Sequence, residues 1–475
     1  MALKVVTMIR PGAPAFLLML ALAGVPVSAQ SFSEAIGAQE AYRLAVDASR
    51  ELSHEAHALK LKRASWWLGI REFFPRLGMD VGQDERLSAF GPDTYTLSFG
   101  LRLDQLLWDG GKLVSRRRIE KVAMEAASLG LDLKGAALGE AAVEGYWNVL
   151  ALRERLAIRR NSLEASRQEL KRIVVEEGLG LRTRDEAAEA ELTLLALEIE
   201  EKEASIGLRE AEEELAFLLG LESLPMLAGR IDPYAKAFAI DGDAFIAAAL
   251  SGSRELKLAE LSLEQSRIAV RASWSAWMPT LSLSASASAR GKSLPLTGWS
   301  WNVGLNIVFS SPIAGASLGG SYGQDGPHEE TARLSARAEP LTNPAGIVET
   351  LSPAAEYRYE ISRYEDSVES FGRSVRFLLC RYVFLVEKRE LAAAALALSR
   401  RKKELVGIRV ELGKARSMEL VEAEIERSRR ELELIDAAAA ILKVARELER
   451  LAALPSGGLS SFQPSAKVVP GNGGS

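Results

Sequence analysis

The sequence predicts a mixed α and β membrane protein built from two tandem strand–strand–helical-hairpin repeats, and three observations predict it. First, short segments recur at one offset. Phe73-Phe74-Pro75-Arg76-Leu77 returns as Trp277-Met278-Pro279-Thr280-Leu281, and Gly100-Leu101-Arg102-Leu103 returns as Gly304-Leu305-Asn306-Ile307. Pro75 to Pro279 and Gly100 to Gly304 are the same step of 204 residues, the signature of a duplicated structural unit. Second, each half opens with segments that alternate apolar and polar residues. Third, each half continues into a very long stretch almost free of proline. The expected boundaries are a leader at 1–29, a first unit at 30–228, a second at 229–454 and a flexible tail at 455–475.

The leader is justified by its three zones. Lys4 and Arg10 form a basic start, Ala13 to Ala23 an apolar stretch, and Val27-Ser28-Ala29 a small-residue cleavage site. That apolar stretch is shorter than the roughly 20 residues a spanning helix needs, and no later run reaches this length. No cysteine follows it to carry a lipid. The expectation is an exported chain with no transmembrane helix. Losing Lys4 and Arg10 takes the formal charge from −5 to −7, which argues against nucleic acid as a partner. Cys380 is the only cysteine, so neither an intrachain disulfide nor a thiolate metal cluster is expected.

Four segments alternate with period two. Leu77, Met79 and Val81 oppose Arg76, Gly78 and Asp80; Tyr95, Leu97, Phe99, Leu101 and Leu103 oppose Thr96, Ser98, Gly100, Arg102 and Asp104. In the second half, Leu281, Leu283, Ala285 and Ala287 oppose four serines, and Trp299, Trp301, Val303, Leu305 and Ile307 oppose Ser300, Asn302, Gly304 and Asn306. Strands of about 9–12 residues are long enough to cross a membrane when tilted. Tyr95, Trp299 and Trp301 stand near strand ends, where aromatic residues meet a lipid interface. A soluble β-sandwich would show the same alternation but needs more strands. Four strands are too few to close a barrel, since closure takes about eight, so several chains must pool them.

The helical stretches come next. No proline occurs from Lys112 to Val175, a length of about 96 Å if helical throughout. The chain turns at Gly178-Leu179-Gly180 and returns from Asp185 to Leu219. The second half runs from about Ala354 to Leu412, turns at Gly413 and returns from Met418 to Leu454. Charge is sorted by leg: basic residues dominate Arg153 to Arg172 and Arg400 to Arg416, acidic ones Asp185 to Glu214 and Glu419 to Glu433. Antiparallel legs of opposite sign attract, which sets register and partner choice. Alanine-rich faces such as 187–190, 392–395 and 437–440 let helices approach on two sides, as in a cylinder wall.

Little in the chain resembles catalytic chemistry. Gly315-Ala316-Ser317-Leu318-Gly319 matches a nucleophile elbow, but no helix pattern follows and His328 is the only downstream histidine. His54 and His57 are three apart with no cysteine nearby, which reads as a solvated helix face. With no phosphate loop or dinucleotide fingerprint either, no enzyme, cofactor or metal is expected.

The order of leader, strands and glycine-marked hairpins resembles the TolC-type outer-membrane efflux proteins. The matching residues are Pro75 and Pro279 before the strands, Leu107-Trp108-Asp109-Gly110-Gly111 at the strand-to-helix turn, and Tyr146 and Tyr382 on the outgoing helices. The tips 180–185 and 413–419 match the family's Gly…Ser/Thr…Asp/Glu pattern, and the likeness covers about 33–454. One departure is clear. Gly180 to Gly413 spans 233 residues, so the second half carries about 29 extra, within 310–356. Ser317 to Tyr322 and Ala332 to Ala338 are candidates for an extra hairpin, which leaves the strand count at four or more per chain.

The resemblance implies a trimeric transmembrane β-barrel continued by a long periplasmic α-helical barrel. Such a homotrimer in outer-membrane lipid is the exit duct of a tripartite efflux or type I secretion system, working with a periplasmic adaptor (membrane fusion) protein and an inner-membrane pump. It places adaptor docking at the hairpin tips (Gly178, Gly180, Thr183, Asp185, Gly413 and Ser417). It also places the periplasmic aperture at Glu419 and Glu422, two carboxylates on one helix face, with Arg416 beside them as a pairing partner. The other reading these hairpins permit is a periplasmic coiled-coil adaptor, which would lack membrane-length strands.

Overall fold

The computed structural model describes residues 35–86, 94–232, 239–311, 314–325, 329–340, 346–454 and 458–462. The leader lies outside the described residues, as does His328. The first half holds α1 (Ala38–Ala48), α2 (Arg50–Leu68), β1 (Arg76–Arg86), β2 (Thr94–Trp108), α3 (Lys112–Gly178) and α4 (Arg184–Leu219). The second half holds α5 (Gly242–Gly252), α6 (Arg254–Ser273), β3 (Thr280–Gly291), β4 (Gly298–Ser310), β5 (Gly315–Asp325), β6 (Glu330–Glu339), α7 (Gly346–Glu411) and α8 (Ser417–Leu451). The expected strands and hairpins are all present, and the extra residues of the second half form β5 and β6.

The six strands make one antiparallel sheet in sequence order, β1-β2-β3-β4-β5-β6. Register keeps like residues level. Leu77 faces Leu103, Leu103 faces Ala285, Ala285 faces Val303, Val303 faces Tyr322 and Tyr322 faces Ala332. One whole face is therefore apolar, because successive side chains alternate sides. Ser317, the would-be nucleophile, sits within β5 opposite Val308 and Arg337 as one of its polar-face residues.

The helices form a wall four helices wide. In the half near the tips the order is α4, α3, α8, α7; nearer the sheet, α2 and α6 take the places of α4 and α8 beside the continuous α3 and α7. At 67 and 66 residues, α3 and α7 are each about 100 Å long. The expected start of the second long helix, Ala354, is eight residues late: α7 begins at Gly346 and carries Pro353 inside it. Proline removes one backbone donor and disfavours a helix interior without forbidding it.

The cores lie midway along the wall. One joins Ile36, Ala41, Tyr146, Val149 and Leu215; the other joins Phe245, Val375, Tyr382, Leu448 and Leu459. Tyr146 and Tyr382 are both buried, and the Tyr146 hydroxyl donates to the Ala228 carbonyl. Within the expected tail, 458–462 pack as a short turn: the Phe462 ring meets Phe245 edge-on at 5.4 Å.

Sorted charge becomes rungs between the legs. Arg153 reaches Glu212 at 2.7 Å, Arg160 reaches Glu201 at 2.8 Å and Arg167 reaches Glu198 at 2.8 Å, one heptad apart along α3. In the second hairpin Arg400 meets Glu431 at 3.4 Å and Lys403 meets Glu424 at 2.6 Å. The exposed pairs among these contribute at most about 1 kcal/mol each, so they fix alignment more than stability.

Candidate functional site

Both hairpin tips are built the same way. At the end of α3, Leu181 N donates to Glu176 O at 2.8 Å and Gly180 N to Glu177 O at 2.8 Å; at the end of α7, Lys414 N donates to Arg409 O at 2.8 Å and Gly413 N to Val410 O at 2.9 Å. This double bond pattern needs a left-handed residue, and Gly180 (φ +72) and Gly413 (φ +70) supply it. A Cβ at either would meet open space, so only backbone conformation demands glycine there. Thr183 then caps α4, with its hydroxyl accepting from Glu186 N at 3.3 Å, and Asp185 sits in the first turn. Gly178 is the last residue of α3, and both it and Asp185 are exposed.

The two tips hold each other. Arg182 donates to Ser417 Oγ at 3.1 Å while also meeting Glu176 at 2.9 Å, and Arg416 lies 3.9 Å from Glu186. Arg416 thus pairs with a carboxylate of the first hairpin. Glu419 caps its own helix, accepting from Arg416 N at 3.2 Å, and is half-buried; Glu422 is exposed. Ser417 is buried. Arg182, Glu176 and Glu186 join the site although motif spacing in either tip alone does not single them out.

One turn further along α8, Glu424 is buried and accepts from Arg427 at 2.7 and 3.0 Å, with Lys403 of α7 at 2.6 Å. Burial pushes its carboxyl up, but the hydrogen bonds from Arg427 and Lys403 outweigh this, and the net shift is downward. A lowered carboxylate stabilises the fold above its unfolded value, and that contribution is lost as pH falls through its folded value. Thermal melts in detergent should therefore weaken from the ordinary carboxylate range downward. Glu424→Gln should be less stable at neutral pH and show a flatter acid limb; an unchanged limb would remove Glu424 from the account.

At the other end of the molecule the apolar sheet face is open. Leu77, Met79, Val81, Leu305, Leu318 and Leu334 are all exposed. Tyr95, Trp299 and Trp301 stand at the end far from the helices, where the Trp301 ring meets Tyr322 edge-on at 5.8 Å. A second set of exposed aromatics stands at the helix end: Phe73, Phe74, Trp108, Trp274, Trp277 and Phe309. Four of these six flank the duplicated proline motif and the glycine turn, so the sequence held the signal.

The turn joining sheet to wall is held by a capping carboxylate and two glycines. Asp109 accepts from Gly111 N at 2.9 Å and Leu113 N at 2.6 Å, capping α3. Gly110 (φ +69) and Gly111 (φ +83) are both left-handed, and a Cβ on Gly110 would lie 2.4 Å from Met278 Cβ.

Residues 41–221 match the model of the outer membrane efflux protein family. Among solved structures, CusC is similar with a TM-score of 0.72 and 15% identity, covering 90% of this chain and 96% of that one. The Campylobacter jejuni CmeC outer membrane channel gives a TM-score of 0.70 at 14% identity, covering 90% and 86%. The open-state Neisseria gonorrhoeae MtrE outer membrane channel gives 0.71 at 15%, covering 90% and 91%. No curated protein sequence matches. The chain thus carries the outer membrane efflux protein family's pattern over α1 to α4, and it shares the fold of these solved outer membrane channels over nearly its whole described length.

Proposed function

We propose that the protein is the outer-membrane duct of an efflux or secretion assembly. Its two halves are tandem repeats, and three copies form a β-barrel in the membrane continued by an α-helical tunnel in the periplasm. Substrates cross it passively, driven by an inner-membrane pump through a periplasmic adaptor. The observation that carries this reading is the six-stranded sheet with an exposed apolar face between two aromatic sets. Trp299 to Phe309 on β4 is about 34 Å along the strand. At a tilt of about 40° it rises roughly 26 Å, close to the apolar band of an outer-membrane barrel.

The wall supports assembly by its edges. Phe377, Phe384, Leu391, Leu398 and Leu405 recur every seventh residue along α7, Leu412 just past its end continues the step, and all are exposed. At the opposite edge, Leu192, Ile199 and Ile206 form an exposed heptad row on α4. Beside the α7 row run exposed Arg381, Lys388, Lys402 and Arg409; beside the α4 row run exposed Glu189, Glu203, Glu210 and Glu213. Opposite edges of complementary charge, each with a heptad seam, suit a ring of identical copies.

The tips are the adaptor surface in this reading. Gly178, Gly180, Thr183, Asp185 and Gly413 present it, with buried Ser417 holding the two hairpins level beneath. Glu419 and Glu422 line the periplasmic aperture, and the Arg416–Glu186 pair holds it narrow. In planar bilayers the purified protein should conduct ions passively with a preference for cations, strongest at low salt, where screening is least. Replacing Glu419 and Glu422 together by Gln should reduce that preference. Absence of conductance would contradict the duct, and unchanged selectivity in the variant would move the aperture elsewhere.

A further inference from the structure

We propose that the added hairpin carries the seam between copies: the outer edge of β6 pairs antiparallel with β1 of the next copy, with Asp80 opposite Arg337 and Asp84 opposite Arg333. This rests on the duct reading above, and it makes each chain contribute six strands.

The sheet has two open edges, β1 and β6. An apolar-faced sheet in lipid cannot leave an edge unpaired, because no water is there to satisfy its backbone groups. One chain cannot close on itself, since six strands are fewer than the roughly eight that leave room for interior side chains. A second copy can. With an even number of strands, β6 runs opposite to β1, so the meander continues across the junction without a parallel pair.

Register follows from how the sheet drifts. Across the ladder Arg76 is level with Asp104, Ser284, Gly304, Ser321 and finally Arg333. Arg76 is the first residue of β1 at the helix end, whereas Arg333 lies six residues up from Glu339, the helix end of β6. Five steps have shifted the ladder six residues, so a sixth step brings it to about seven. Paired residues must share a face, and the polar face of β1 holds the even positions 76 to 84, so the shift is six or eight.

Charge selects eight. That shift sets Asp84 against Arg333 and Asp80 against Arg337, two opposite-sign pairs directly across the strands. A shift of six sets both arginines against glycine, Gly82 and Gly78, and leaves only Arg76 with Glu339. Among the described residues Asp80, Asp84 and Arg333 have no ion-pair partner, and Arg337 meets only Glu339, at 2.6 Å. The apolar face agrees, with Met79 opposite Ala338 and Val81 opposite Ala336. For three copies the resulting shear tilts the strands by about 43°, inside the range of membrane barrels. Eighteen strands enclose an aqueous channel.

Cysteines test the seam directly, because directly opposed strand residues lie within disulfide reach. In a Cys380→Ser background, Asp80→Cys with Arg337→Cys should give covalent dimers and trimers on non-reducing gels of mild-oxidant-treated outer membranes. Neither single variant should. Cross-linking by Gly78→Cys with Arg337→Cys instead would overturn the register. A native trimer in which neither pair cross-links would overturn the seam while sparing the duct. A parent protein that forms no membrane oligomer would overturn the duct, and the seam with it.

Discussion

Leu391→Glu combined with Leu398→Glu is expected to leave the protein unable to form the proposed oligomer. Both leucines are exposed in a single chain, 73% and 65%, at the centre of the α7 heptad row. Burying a leucine against a neighbour is worth about 1.5–3 kcal/mol, so two per seam amount to about 3–6 kcal/mol. That is a factor of about 10²–10⁴ in each association step. Glutamate adds repulsion, because the α4 edge that would face this row in the proposed ring carries Glu203, Glu210 and Glu213. Mass photometry of detergent extracts should show monomers for this variant and the parent oligomer for Leu391→Met with Leu398→Met, which keeps volume and apolarity. An intact oligomer in the glutamate variant would show that this row faces something other than a neighbouring copy.

Gly110→Val is expected to have the second large effect, on folding rather than assembly. Two costs coincide there. A left-handed backbone costs any residue with a Cβ about 1–2 kcal/mol. The Cβ would also sit 2.4 Å from Met278 Cβ, and overpacking costs typically 1–3 kcal/mol. Together they cost roughly 2–5 kcal/mol, a large share of a normal stability margin. Gly111→Ala separates the two, since φ there is +83 but nothing lies within 4 Å of the new Cβ. Melts followed by circular dichroism should place Gly110→Val well below Gly111→Ala, and Gly111→Ala modestly below the parent. Equal melting points for the two variants would mean that contact with Met278 plays no part.

Much of this architecture is written locally in the chain. Period-two alternation picks out the strands because one face is apolar throughout, and that includes β5 and β6, where glycine and serine dilute the signal. The tips and the strand-to-helix turn are legible because left-handed positions leave glycine little competition. Charge sorting between legs is legible because each rung joins legs of one hairpin.

What stayed hidden depends on distance or on context. Arg182 and Ser417 are 235 residues apart, and only the packing of one hairpin on the other brings them together. Proline disfavours a helix interior, yet α7 absorbs Pro353 and begins ahead of the expected Ala354. The α7 heptad was present in the letters, but alanines and charges between its rows mask a seam that a single chain leaves unfilled.

The central claim is that copies of this chain pool their sheets in the outer membrane, and native mass spectrometry of the protein extracted from separated outer membranes tests it most directly. Three chains per particle are expected, recovered with the outer-membrane fraction and dissociating to monomer only on heating in detergent. A stable folded monomer, or a protein released intact by osmotic shock, would contradict it.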